Sequence, residues 1–270
     1  MIKIVKGQSV KDGAGVKLNR VIGTQNLDMA DPFLMLDEFR NDDKKDYEAG
    51  FPMHPHRGFE TITYMVEGSF THRDSKGNVG NLNAGEVQWM TAGKGIIHEE
   101  MPAMENGHLW GYQLWINLPA KLKMVDPKYR HLTNEIMPIV KEDGINVKII
   151  SGEYHGAKGP VELYFDVDYF DVRLSETEGV FNKKVKGTNL VYVHTGKVEI
   201  QSEKSSVIEK GNLAVITDAS EILVKGKDAG FLFLSADPIN EPVAKYGPFV
   251  MNTTDELIEA VDDFNEGRFV

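Results

Sequence analysis

Twenty-six glycines are spread along this 270-residue chain, and between them lie short runs of β-branched and aromatic residues with little long helical periodicity. Thr61 to Val66, Val87 to Met90 ahead of Ala92-Gly93, Leu190 to Val193 ahead of Thr195-Gly196-Lys197, and Phe231 to Leu234 read as strands closed by turns. "DPFLMLDEF" (Asp31 to Phe39) reads as a buried strand, with Phe33 and Met35 on one face and Leu34 and Leu36 on the other. Strands this short and this frequent predict an all-β sandwich or barrel, not a doubly wound sheet.

A repeat narrows the choice. "TYMVEGSFTHRD" has an echo in "VYVHTGKVEIQS", which aligns Gly68 with Gly196 at an offset of 128 residues. "AGEVQWMT" and "KGNLAVIT" align Gly85 with Gly211 at an offset of 126. Two similar offsets point to a duplicated unit, one β-barrel in each half. The boundary falls in the polar stretch from Lys128 to Gly144 and is placed between 1–132 and 133–270. One clear helix is expected. Thr253, Thr254, Asp255 and Glu256 make a capping-box pattern ahead of Leu257, Ile258, Val261 and Phe264, so a closing helix over about 254–265 should pack on a sheet.

Thirty Lys and Arg against 41 Asp and Glu leave a formal charge of −11. Phosphate neutralisation needs clustered positive charge, so neither direct nucleic-acid binding nor attachment to an anionic membrane is expected. No apolar run reaches the length of a spanning helix, and "MIKIVKGQSV" breaks at Gly7 and Gln8 before an export-type segment forms. A cytoplasmic protein is expected. The chain has no cysteine, which excludes disulfides, thiolate zinc sites, iron–sulfur clusters and cysteine nucleophiles. Any bound metal must be held by nitrogen and oxygen.

Such ligands concentrate in His54-Pro55-His56-Arg57-Gly58-Phe59-Glu60 and, 38 residues on, in His98-Glu99-Glu100. Residues two apart on a strand share a face, so His54 and His56 can converge from one strand and His98 and Glu100 from another. Three imidazoles and a carboxylate suit iron, manganese, nickel, copper or zinc. Glu60 competes with Glu100 as the carboxylate, because it lies four residues beyond His56 and parity leaves the two tied. His72, His108, His131, His155 and His194 stand alone and read as surface or satisfied core residues. Gly93-Lys94-Gly95 lacks the Lys-Ser/Thr and helix of a phosphate loop.

The spacing Gly50-x3-His54-x-His56-x3-Glu60-x7-Gly68, followed by Gly85-x5-Thr91-x-Gly93-x4-His98, resembles the two cupin motifs. Thr91 in place of the usual proline and a longer spacer to His98 are shared by the pirin branch. "DPFLMLDEF", "HPHRGFETITYMVEG", "GEVQWMTAGKGIIHEEMP" and "YQLWINLP" match that branch, so the chain is similar to the pirin family. The resemblance implies a bicupin of two jelly-roll-like barrels. It also implies one divalent transition metal per chain, Fe(II) first, with Zn, Mn, Ni, Co or Cu compatible, held by His54, His56, His98 and Glu100. Glu60 then becomes a supporting group, and the second barrel is expected to lack metal ligands. Shifting by the repeat offsets puts Asn182, Lys184, Thr188, Val224 and Gly226 at the corresponding positions.

The resemblance supplies the chemistry as well: a dioxygenase that opens the central ring of a flavonol such as quercetin, with dioxygen as co-substrate and carbon monoxide as product. Glu100 is the candidate base, and Glu99 beside it should face away. A competing reading from the same family is a non-enzymatic, iron-binding, redox-sensitive regulator acting through a protein partner. A third is a cupin for which flavonol turnover is incidental and another phenol is the substrate.

Overall fold

Along the strand Ile96–Pro102 burial alternates, with Ile96, His98 and Glu100 buried and Ile97 and Glu99 half-buried. The same alternation along most of the chain turns short strands into layers with an inner face. A computed structural model of the chain describes residues 1–104, 107–201 and 205–270. Among these residues the protein is all-β apart from short 3-10 turns and one α-helix, and it forms two compact units.

The first unit comprises Gln8–Gly23, Phe33–Asn134 and Ile239–Val270. It has a seven-stranded sheet ordered Lys128–Leu132, Val87–Thr91, Phe59–Glu67, Leu109–Asn117, Phe33–Asn41, Val16–Ile22 and Gln8–Asp12. Its four-stranded sheet is ordered Phe51–His56, Ile96–Pro102, Phe70–Asp74 and Val79–Leu82. The second unit comprises Met1–Gly7, Thr24–Pro32 and Glu135–Pro238. It repeats the plan: seven strands from Ile2–Lys6 through Thr188–Thr195 to Ile139–Glu142, and four ordered Gly179–Lys184, Glu221–Gly226, Lys197–Gln201 and Ser206–Glu209. Two sheets of matching size and order in each unit are what a duplicated barrel requires.

A single cut near residue 132 does not describe these units, because both termini cross it. Ile2–Lys6 pairs antiparallel with Asn212–Ile216, from Ile2 opposite Ile216 to Lys6 opposite Asn212. At the other end the Val250 N–H donates to the Arg57 carbonyl (3.0 Å). Lys123, buried, donates from Nζ to the carbonyls of Gly58 (2.8 Å) and Val250 (2.9 Å) and to Asn117 Oδ1 (2.7 Å). Burial pulls its pKa down to about 8 despite Glu256 and Glu241. Strand pairing and buried hydrogen bonds thus outweigh proximity in sequence, which periodicity alone does not reveal.

The closing helix is Thr254–Asn265, with Thr253 as N-cap and a complete capping box to Glu256. Leu257 and Ala260 pack with Phe249, Met251 and Phe269. Ile258, expected on the packed face, is 55% exposed, since the buried stripe runs through 257, 260 and 261 instead. Among the described residues no helix is long and apolar enough to cross a membrane.

Candidate metal centre

Pro52 and Pro55 stiffen the strand that carries His54 and His56, and a glycine ends it. Gly58 has φ of +91°, and a Cβ there would sit 1.9 Å from the Val250 carbonyl oxygen, so only glycine allows this bend. The next strand begins at Phe59 with its faces reset. Glu60 therefore does not share a face with His56, contrary to the parity expectation. It lies on the opposite face of its strand from Thr63, where Oε1 accepts from Trp89 Nε1 (3.1 Å) and Thr91 Oγ1 (2.8 Å). That placement removes it from the contest with Glu100.

Antiparallel pairing sets His98 opposite His54 on one neighbour strand and opposite Asp74 on the other. The ligand nitrogens of His54, His56 and His98 lie within 4.8 Å of one another. Their ring centroids are 4.4 Å (His54 to His98), 4.6 Å (His54 to His56) and 4.9 Å (His56 to His98) apart. His54 is half-buried; His56 and His98 are buried. His54 Nδ1 donates to the Pro52 carbonyl (2.8 Å), which leaves its Nε2 lone pair beside His56 Nε2 at 3.0 Å. Burial and the neighbouring His54 hold the His56 pKa well below the usual histidine value, against the pull of the Pro248 carbonyl. Burial, then the surrounding imidazoles of His56, His54 and His72, do the same to His98. Both rings are kept neutral, the form that binds metal.

The donor set fits a divalent transition metal. His98 Nε2 is buried and has no hydrogen-bond partner, a costly arrangement unless another acceptor of its lone pair is intended. Glu100 lies on the inner face two residues on, 1% exposed, but its oxygens are not in the 4.8 Å group. It is held by three donors: Thr63 Oγ1 (2.9 Å) and Gln88 Nε2 (2.9 Å) to Oε1, and Gln113 Nε2 (2.7 Å) to Oε2. Trp115 Nε1 donates to Gln113 Oε1 (3.2 Å) and fixes which end of that amide meets Glu100. The Trp115 ring lies 5.0 Å from that of His56 and 4.4 Å from that of Phe59. Glu99 points outward toward Arg73 (3.9 Å).

Sequence reasoning did not single out Thr63, Gln88, Gln113 or His72. The available signal was polar side chains at inward parity on otherwise apolar strands. His72 is fully buried, with Nε2 3.2 Å from Asp74 Oδ2 and Nδ1 3.4 Å from His98 Nδ1. Of the other lone histidines, His108, His131 and His155 pair with Asp42, Glu86 and Glu142 near the surface, and His194 is buried against Asp171 (3.0 Å). In the second unit, Asn182 and Lys184 are exposed, while Phe181 occupies the inner face of that strand. The positions that the repeat offset aligns with His54 and His56 therefore lie on the outer face of that strand.

Two barrels of matching strand order, one with a three-histidine cluster that can hold a metal ion, define a bicupin. Within that class the assignment is specific. Residues 15–116 match the family model Pirin and residues 169–270 match the Pirin C-terminal cupin domain, and this chain belongs to the pirin family. It is 44% identical over 282 residues to a pirin-like protein of Caulobacter vibrioides, covering 100% of this chain and 98% of the relative. It is 40% identical over 271 residues to pirin of Homo sapiens, covering 98% and 91%. The crystal structure of a quercetin 2,3-dioxygenase from Acinetobacter baumannii superposes with a TM-score of 0.90 at 33% identity, covering 99% of this chain and 96% of that one.

Proposed function

We propose that this protein is a metal-dependent dioxygenase that opens the central ring of a flavonol such as quercetin. The observation that carries the reading is a buried carboxylate, Glu100, on the same strand face as an unpartnered ligand nitrogen, His98 Nε2. The likeness to the Acinetobacter enzyme supports the substrate class. His54, His56 and His98 would hold the ion, with Glu100 as fourth ligand through Oε2, the oxygen that carries a single donor. Fe(II) is the first candidate for this nitrogen and oxygen set. When bound, such an ion supplies Lewis acidity toward a deprotonated hydroxyl oxygen and a site shared by substrate and dioxygen.

The residues of the chain handle the proton and the ring. Glu100 takes the proton of the flavonol 3-hydroxyl, and the donors Thr63, Gln88 and Gln113 hold its carboxyl group in place for that transfer. Half-buried Trp115, packed on Phe59, offers an aromatic wall next to His56. Overall, flavonol and dioxygen give a ring-opened ester and carbon monoxide. The test is aerobic incubation of metal-loaded protein with quercetin, following loss of the flavonol absorbance and release of carbon monoxide. Full metal loading with no turnover would overturn the enzyme reading and favour the regulator.

A further inference from the structure

Behind His98 lies a chain of buried groups, His72 and Asp74, outside the three-histidine cluster. We propose that Asp74 and His72 are positioning residues that set the tautomer of His98, placing its proton on Nδ1 and its lone pair on Nε2. The proposal rests on the reading of His98 as a metal ligand.

The argument starts at the far end. Asp74 Oδ1 accepts from the backbone N–H groups of Lys76 (2.9 Å) and Asn78 (3.0 Å), and Oδ2 accepts from Asn78 Nδ2 (2.8 Å). Asp74 is thus an acceptor on every side. A singly protonated imidazole beside it keeps its proton on the nitrogen that faces the carboxylate, here His72 Nε2 at 3.2 Å. His72 Nδ1 is then a lone pair. At 3.4 Å from it, His98 Nδ1 is the donor, and the lone pair of His98 is left on Nε2, the buried atom with no partner. The His72 ring cannot swing away. Tyr129 stacks on it at 4.2 Å and 11°, and the Tyr129 hydroxyl sits where a Cβ on Gly80 would be, 2.2 Å from it.

This wiring predicts an unusual response to Asp74→Asn. The two backbone donors hold the amide oxygen in the Oδ1 position, so the new NH2 must face His72 Nε2. His72 then accepts there and carries its proton on Nδ1. His98 is forced to accept on Nδ1 and to protonate Nε2, the nitrogen needed for metal. His72→Gln keeps an oxygen acceptor for His98 Nδ1 and an amide donor for Asp74, whereas His72→Leu keeps neither.

Histidine-labelled, metal-free protein would be studied by two-dimensional 15N NMR to read the His98 tautomer, and Co(II) binding would be followed by its visible absorption. The expected result is Nδ1–H in the native protein and in His72→Gln, and Nε2–H in Asp74→Asn. Co(II) affinity should fall about ten- to a hundredfold in Asp74→Asn and His72→Leu, the usual effect of removing a group behind a ligand. His72→Gln should restore most of it. Nε2–H on His98 in the native protein, or loss of affinity in Asp74→Asn with the tautomer unchanged, overturns the proposal. A native protein that binds no Co(II) overturns the metal reading instead, and the metal-free spectra still decide the tautomer.

Discussion

The two units use one strand plan for opposite interiors. On the small sheet of the second unit, Phe181, Val198, Ile200, Ile222 and Val224 face inward and join a core with Phe170, Phe231 and Phe233. On the corresponding sheet of the first unit the inward side chains include His54, His56, His72, Asp74, His98 and Glu100. Apolar burial stabilises the second barrel directly, at about 25 cal/mol per Å². The first barrel gives up that contribution at its centre and replaces it with polar groups that largely satisfy one another, leaving His56 Nδ1 and His98 Nε2 without a hydrogen-bond partner. The first barrel still buries an apolar cluster of Leu18, Phe39, Met65, Phe70, Leu82 and Leu109, which leaves the duplicated frame room for one chemically active interior.

The largest expected effect lies at Glu100. Glu100→Gln keeps the size and a carbonyl oxygen but loses charge and basicity, so quercetin turnover per bound metal ion should fall about 10²–10⁴-fold. Glu99→Gln, on the outer face, should be near neutral. A crippled Glu99→Gln with a normal Glu100→Gln would place the chemistry on the wrong side of this strand.

A pair of substitutions tests whether the interiors really differ in kind. Phe181→Ala removes a ring packed against Phe170, Phe231, Phe233 and Tyr154 and should cost about 3–5 kcal/mol in denaturant unfolding. Bound metal should be unchanged. His56→Ala should do the reverse, losing most metal while the barrel stays folded. If Phe181→Ala released the metal, the two interiors would not be independent.

How much of this was legible beforehand follows from which forces are local. Strand parity placed His98 and Glu100 inward and Glu99 outward, because alternation survives wherever a strand is unbroken. The same parity failed for Glu60, where the left-handed Gly58 resets the faces. The capping box located the helix to the residue at its start, since it is made within four residues. His72 could not be recognised, because its role depends on which strands become neighbours. The exchanged termini were hidden for the same reason.

The second unit keeps a buried histidine–carboxylate pair on the face of its large sheet opposite the core. His194 Nε2 lies 3.0 Å from Asp171 Oδ1, and Arg173 bonds Oδ2. Burial would raise the Asp171 pKa, but His194 and Arg173 hold it well below the ordinary value of 3.8. A carboxylate with a depressed folded pKa stabilises above its unfolded pKa and loses that contribution as pH falls through the folded one. Asp171→Asn should therefore cost about 1–3 kcal/mol at neutral pH. The gap from the native protein should close below about pH 4, measured as urea midpoints against pH. A gap that persisted unchanged into acid would mean that packing, not charge, is lost.

The smallest effect concerns a support that the first unit has and the second lacks among the described residues, the closing helix. Thr253 Oγ1 accepts from the Glu256 N–H (3.2 Å), and Glu256 Oε2 accepts from the N–H groups of Thr253 (2.8 Å) and Asn252 (2.9 Å). Thr253→Ala removes one side of this box and leaves an N–H at the helix start without its side-chain acceptor, at a cost of about 1 kcal/mol. For a unit of this size that lowers the midpoint of melting by about 2–4 °C. Thr253→Ser keeps the hydroxyl and should restore most of the loss. Because the helix packs through Leu257 and Ala260 on Phe249, Met251 and Phe269, the change should be read in the first unit. Proteolysis at increasing temperature, with cleavage sites assigned by mass spectrometry, would locate it. Earlier cleavage within Glu135–Pro238 instead would show that the helix supports both barrels and that their interiors are less separable than their chemistry suggests.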